Sequence, residues 1–163
     1  MDINEITRLL QPLVAPDLAK KCLELPLRLC PEPVQVAIPS YALQKDGTAL
    51  RAVFLIMKHF ICEVRISQSE QHFDFAHLST VLNYRIRLWE HKIDIVKGDP
   101  KVAQTTKETI TFQVATVELS HIYHGETEIN YVGDNREAWV AELTKYLPVS
   151  IVSTGVGHAG SYP

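Results

Sequence analysis

The sequence predicts one α+β domain built on a strongly bent antiparallel sheet or half-open barrel of about seven strands, with N-terminal helices and a capping C-terminal helix. Three observations lead there. Apolar residues recur at helical spacing at the start of the chain. From Val34 to Tyr131 the dominant period is two, broken by turn residues. Helical spacing then returns around Trp139. At 163 residues the chain is long enough for one sizeable core.

The first helix follows from Asp2 and Glu5, which have capping-box spacing, and from Ile3, Ile6, Leu10, Leu13 and Val14. Pro12 and Pro16 interrupt that pattern, so the spacing predicts a helix to about Gln11 and a second one from Pro16, where proline suits a first turn. Leu18, Cys22 and Leu25 are expected to face inward on the second helix. Pro26, Pro31 and Pro33 are expected to end it and stiffen the connector.

Val34, Val36 and Ile38 open the strand region. A turn at Lys45-Asp46-Gly47-Thr48 leads to a buried strand from Ala49 to Met57. Lys58-His59 is the next turn, and Phe60, Cys62, Val64 and Ile66 alternate along a half-buried strand. After a polar loop, His72 to Phe75 is a short strand, and residues 77 to 82 read as a strand or a single turn. A long strand runs from Arg85 to Val96. Glu108 to Ile122 is another, with a bulge expected near Ala115-Thr116, where the apolar phase shifts. Thr127, Ile129 and Tyr131 lie on the last strand. Asp134 and Glu137 predict a cap for the final helix, on which Trp139, Leu143 and Tyr146 share a face before Pro148 stops it.

Residues 1–147 therefore read as a single domain that includes an N-terminal helical extension over 1–30. Residues 148–163 carry no charge, are rich in Gly and Ser, and read as a flexible tail. Within that tail Val149-Ser150-Ile151-Val152-Ser153 has the pattern of a strand that could join a sheet edge.

Composition narrows the function classes. The hydrophobic fraction is 46%, the charged fraction 21% and the net charge -3. An acidic balance gives no general attraction to nucleic acid or anionic lipid. The three cysteines, Cys22, Cys30 and Cys62, are an odd number at wide spacing, so they read as buried reduced thiols and not as a disulfide framework or zinc site. The N-terminus lacks the basic and apolar regions of a secretory signal, which places the expectation in the cytoplasm.

The run of antiparallel strands followed by one Trp-bearing amphipathic helix resembles the pleckstrin-homology-like (PH-like) superfamily in its bacterial form. The residues that carry the resemblance are Asn135-Arg136-Glu137-Ala138-Trp139-Val140-Ala141-Glu142-Leu143, together with the strand, polar loop and Phe-Asp-Phe strand within 60–85. It covers roughly residues 34 to 147. It implies a bent sheet plugged by the last helix, and a binding module for phosphoinositides, peptides or protein surfaces. The phosphoinositide binders of that group carry several basic residues in the first hairpin. Here only Lys45 and Arg51 stand there, which argues against a phosphoinositide membrane as partner.

Candidate sites are sparse. No catalytic residue, metal ligand or cofactor is implied by any motif. His72, Asp74 and His77 are the candidates for a dispersed enzyme site, and His121 and His124 for a pair of metal ligands. His59 with Cys62 has the residue types of a base and a thiol nucleophile, but the hairpin between them argues for a turn histidine and a core thiol. Arg85, Arg87, Trp89 and His91 share one parity of the long strand and form a basic–aromatic strip, the candidate binding residues. Glu90 and Asp94 dilute its charge. The middle of the chain is mildly basic and its end acidic, which leaves self-association into a homo-oligomer open. The sequence thus favours a noncatalytic interaction domain for a protein or peptide, with an apolar groove between the last helix and a neighbouring strand edge. A dispersed enzyme site and a lipid or small-ligand module are the alternatives.

Overall fold

The computed structural model describes residues 1–99, 104–122 and 125–147. Helix α1 (Ile3–Leu10) opens with the expected capping box: the Asp2 side chain accepts from the first-turn backbone, and the Glu5 carboxylate accepts from the Asp2 N–H. Helix α2 (Pro16–Leu29) starts on proline and runs through Pro26, three residues past the expected stop. Pro26 forfeits only its own N–H, while its carbonyl accepts from Cys30 N. The inward face of α2 also differs from expectation. Ala19, Cys22, Leu23 and Pro26 are buried, whereas Leu18 and Leu25 are 39% and 48% exposed. The buried set of four holds one helix face at i, i+3, i+4 and i+7.

Seven antiparallel strands follow: β1 (Val36–Gln44), β2 (Gly47–Ile56), β3 (Phe60–Ile66), β4 (Gln71–His77), β5 (Val81–Asp99), β6 (Gln104–His121) and β7 (Gly125–Val132). A single 3-10 turn at Leu78–Thr80 separates β4 from β5. Helix α3 (Arg136–Thr144) closes the described chain. Its N-cap is Asn135 without a side-chain bond, so the Asp134 cap expected from spacing does not form. The strands make two sheets, β1-β2-β3-β4 and β5-β6-β7. The domain is thus α+β, with N-terminal helices, four- and three-stranded antiparallel sheets and a C-terminal helix, half-open and not closed into a true barrel.

Alternation along β2 and β3 builds two cores on the two faces of the first sheet. Val53, Leu55, Met57, Cys62 and Val64 pack with Ile6, Leu10, Ala19 and Leu23 of the N-terminal helices. Phe54, Ile56 and Ile61 point the other way, onto Val117, Leu119 and Ile129 of the second sheet and Leu143 and Leu147 at the last helix. The first sheet is therefore covered on both faces, which is why β2 reads as a continuous apolar run. Each of these side chains contributes roughly 1.5–3 kcal/mol by leaving water.

The sheets meet where β1 bends. Its register shifts between Ser40 and Tyr41, and there Ser40 Oγ accepts from Asn130 N at 2.9 Å while Tyr41 O accepts from Asn130 Nδ2 at 3.2 Å. The bulge expected at Ala115-Thr116 is absent: β6 pairs without a shift with β5 from Asn83 to Asp99 and with β7 throughout. The apolar phase changes because the covered face changes. Val114 to Val117 are all buried, so both faces of β6 are covered at its centre. The proposed strand at 149–153 and the tail lie outside the described residues, as does His124.

Candidate functional site

Helix α3 crosses the open end between the sheets and leaves a groove of about 290 Å³ beside it. Val36, Ile38 and Tyr41 of β1 form one side, Tyr131 of β7 the base, and Trp139 of α3 with Tyr146 in the turn after it the other side. Helical spacing puts Trp139, Leu143 and Tyr146 on the face turned to β1. Leu143 is sunk into the core and fixes the helix, which leaves the two aromatics half-buried along the groove. The Trp139 and Tyr131 rings stack with centroids 5.1 Å apart and planes 17° from parallel, so a flat aromatic wall is preformed. Pro39 also lines the groove. The single lining carboxylate, Glu142, is held by Lys145 at 2.7 Å, which also raises the Lys145 pKa. The groove is mainly apolar, and its shape and lining can hold apolar side chains.

The strip of Arg85, Arg87, Trp89 and His91 is brought together on one face of β5. The Arg87 guanidinium lies 5.5 Å over the Trp89 ring, Trp89 meets His91 edge-on at 6.1 Å, and His91 stacks on Phe112 at 6.2 Å. Arg85 and Arg87 both reach Glu118, at 3.8 and 3.5 Å, so one carboxylate is shared between two guanidinium groups and offsets about half of their charge. Trp89 is half-buried, its Nε1 donating to Thr116 Oγ1 at 2.9 Å, and His91 Nε2 lies 2.8 Å from Gln44 O. These residues share the face of the second sheet that carries Thr116 and reaches Gln44 of β1, and none of them lines the groove.

The other candidates separate in space. On β4, His72 and Asp74 share a face with Ala76, whereas His77 shares the opposite face with Phe73 and Phe75, which pack toward the N-terminal helices. His77 instead accepts from Ser79 N and contacts Ser79 Oγ at 2.6 Å; its ring lies 6.0 Å from His59. His59 in turn binds Glu32 through Nδ1 at 2.6 Å and through its backbone N–H at 2.9 Å. Those bonds, the backbone one first, hold the Glu32 carboxyl below its usual range. Ser79 and His77 are neighbours on an exposed turn, and the pair caps that turn. Cys62 faces the core between the helices and the first sheet, where burial pushes its thiol up to about 12. A nucleophilic thiol needs the opposite shift. Among the described residues, no three His, Cys, Asp or Glu side chains converge to hold a metal, and no helix is long and apolar enough to cross a membrane.

Comparison with known proteins adds no relative: no family model matches the chain, and neither a curated protein nor a solved structure matches it significantly. The groove residues Val36, Tyr131 and Tyr146 carry no motif. Their only signal in the sequence is periodicity: Val36 on the alternation of β1, and Tyr146 seven residues after Trp139 on the helix.

Proposed function

We propose that this chain is a noncatalytic interaction domain that takes a short, extended, apolar segment of a partner protein into the groove between α3 and β1. The observation that carries the reading is the apolar groove with its preformed Tyr131–Trp139 wall. Its volume sits at the low end of the roughly 300–1,000 Å³ typical of small-molecule sites, too little for a large cofactor and suited to a few apolar side chains. A flat aromatic wall gives contact area with little rotamer entropy to lose. The described residues offer no competing constellation of nucleophile, base and charge stabiliser, which sets the dispersed enzyme reading around His72, Asp74 and His77 below this one. The PH-like assignment belongs to the same proposal. It is supported by four strands, three strands and a Trp-bearing helix in that order, and by the half-open end that the helix covers.

The test is a random-peptide display selection on the immobilised protein, followed by titration of the selected peptides against wild type and Glu142→Trp. Glu142 is exposed on α3, so the substitution fills the groove mouth without disturbing the core. The expected result is enrichment of peptides with apolar residues at alternate positions, and a loss of affinity of about tenfold or more in Glu142→Trp. Peptides that bind Glu142→Trp as well as wild type, or no enrichment at all, overturn the reading.

A further inference from the structure

We infer that β5 is a self-association edge, on which two copies of this chain pair their β5 strands antiparallel about a two-fold axis at His91, a surface distinct from the groove. Among the described residues β5 pairs with β6 alone, so one side of a 19-residue strand is an open edge. Long open edges recruit other strands unless something blunts them.

The backbone orientation along that edge follows from one bond. Gly133 N donates to Gln113 O at 3.0 Å, so the Gln113 peptide groups face β7. Alternation then turns those of Val114 toward β5, opposite Trp89, and Trp89 toward β6. Arg136 Nη1 adds a second donor to the Trp89 carbonyl at 2.8 Å, which secures that orientation. The backbone N–H and C=O groups of Leu88, Glu90 and Lys92 therefore point outward, ready for a neighbouring strand.

The side chains pick the occupant and the register. Centring the pair on His91 sets Glu90 opposite Lys92 of the second copy and Lys92 opposite Glu90, two reciprocal ion pairs in hydrogen-bonded positions. The same register sets Ile86, 41% exposed, opposite Val96 of the second copy, 65% exposed, twice over. Val96 stands on the otherwise polar face of the hairpin, among Lys92, Asp94, Lys107 and Thr109. Among the described residues it stays exposed, and in this register it gains an apolar partner. Trp89 meets Ile93 across the opposite face. Arg85 falls opposite Lys97; Arg85 shares Glu118 with Arg87, and Lys97 pairs with Glu108. Moving the axis to Ile93 would pair Lys92 with Asp94. Both carboxylates already have partners within the chain, Glu90 in Gln113 and Lys92 and Asp94 in Thr109 and Lys107, so what favours His91 is that Ile86 would lose Val96 at the other axis. A second copy fits this edge better than an arbitrary strand because the complement is written in the strand itself.

Charge reversal tests both the dimer and its register. Sedimentation equilibrium of the full chain is compared for wild type, Lys92→Glu and the double swap Glu90→Lys with Lys92→Glu; all the altered side chains are exposed, and circular dichroism checks the fold. Wild type is expected to dimerise, Lys92→Glu to weaken the dimer about tenfold or more by setting four carboxylates in two opposed pairs, and the double swap to recover it. A wild type that stays monomeric up to about 1 mM, or a double swap no tighter than Lys92→Glu, overturns the proposal; the latter outcome alone is expected for the axis at Ile93. Peptide binding at the groove is read separately through Glu142→Trp, so either proposal can fail without the other.

Discussion

Trp89 and Thr116 are diagonal neighbours across β5 and β6, whose register sets Trp89 opposite Val114 and Thr116 opposite Arg87, and the indole Nε1 donates to the threonine Oγ1 at 2.9 Å. Thr116 Oγ1 in turn donates a hydrogen bond to Asn130 Oδ1 at 2.6 Å, and Asn130 completes the chain by donating to Ser40 Oγ and Tyr41 O. One chain of hydrogen bonds between polar groups thus ties β5, β6 and β7 to the bend in β1.

Thr116→Val keeps the shape of that side chain and removes its hydroxyl. Trp89 Nε1 and Asn130 Oδ1 then lose a partner in a setting largely closed to water. The expected loss is about 2–4 kcal/mol, from one or two orphaned polar groups. Urea denaturation measures it. A loss below about 0.5 kcal/mol would mean that water replaces the hydroxyl.

Glu32 supplies an acid-sensitive fastening. It is bound to the backbone and ring of His59, and the folded state lowers its pKa. For a depressed carboxyl the stabilisation is present above the unfolded value, near 4.5, and fades as pH falls through the lower folded value. Glu32→Gln is expected to flatten the dependence of the urea midpoint on pH below about 4.5 relative to wild type, with the curves parallel above pH 5. Curves that stay parallel through the acid range count against the fastening.

Cys62 should be silent to thiol reagents. Its thiol is pushed up to about 12 and is fully buried. In a chain carrying Cys22→Ala and Cys30→Ala, labelling of Cys62 at pH 8 is expected to follow the rate or population of opening and not the thiolate chemistry of a free cysteine. The same raised value predicts a stability that declines between about pH 9 and 12, where the unfolded thiol ionises and the folded one does not. Cys62→Ala removes that contribution to the slope. Rapid labelling of the folded protein at pH 8 would contradict the burial.

Gly133 sits against the groove's aromatic wall. A Cβ there would lie 2.5 Å from the Tyr131 hydroxyl and 2.8 Å from its Cζ. Gly133→Ala therefore displaces Tyr131 from its stack on Trp139. Stability is expected to fall by about 1–2 kcal/mol and peptide affinity by about tenfold, read by calorimetry alongside near-ultraviolet circular dichroism. Unchanged affinity would separate the wall from binding.

The layered architecture was legible because it rests on period. Val53 to Met57, Phe60 to Ile66 and Trp139 to Leu147 announce strands and a helix from their apolar spacing alone, and Asp2 with Glu5 announces the first cap. What stayed hidden depends on tertiary cover. Leu18 and Leu25 have helical spacing with Cys22, yet the face that α1 and the first sheet cover is the one through Ala19, Leu23 and Pro26. The phase change at Ala115-Thr116 looked like an extra residue and is a change of covering layer. The strip at Arg85, Arg87, Trp89 and His91 was legible as a face, but not the sharing by its two arginines of Glu118, which comes from the next strand. The groove was legible in place and not in lining, since Val36, Tyr131 and Tyr146 meet only after β1 bends at Ser40.

The centre of β6, Val114 to Val117, is covered on both faces. A strand apolar on one face alone is aligned by burial, because a slip of one residue turns its greasy side to water. Here such a slip would trade one buried small or apolar side chain for another, and burial by itself carries little information about alignment. Thr116 supplies it. Only one alignment lets its hydroxyl meet Trp89 and Asn130 together. The single polar side chain in the tightest part of the sheet thus works as an address for the strands around it, marking where β5, β6 and β7 must stop sliding.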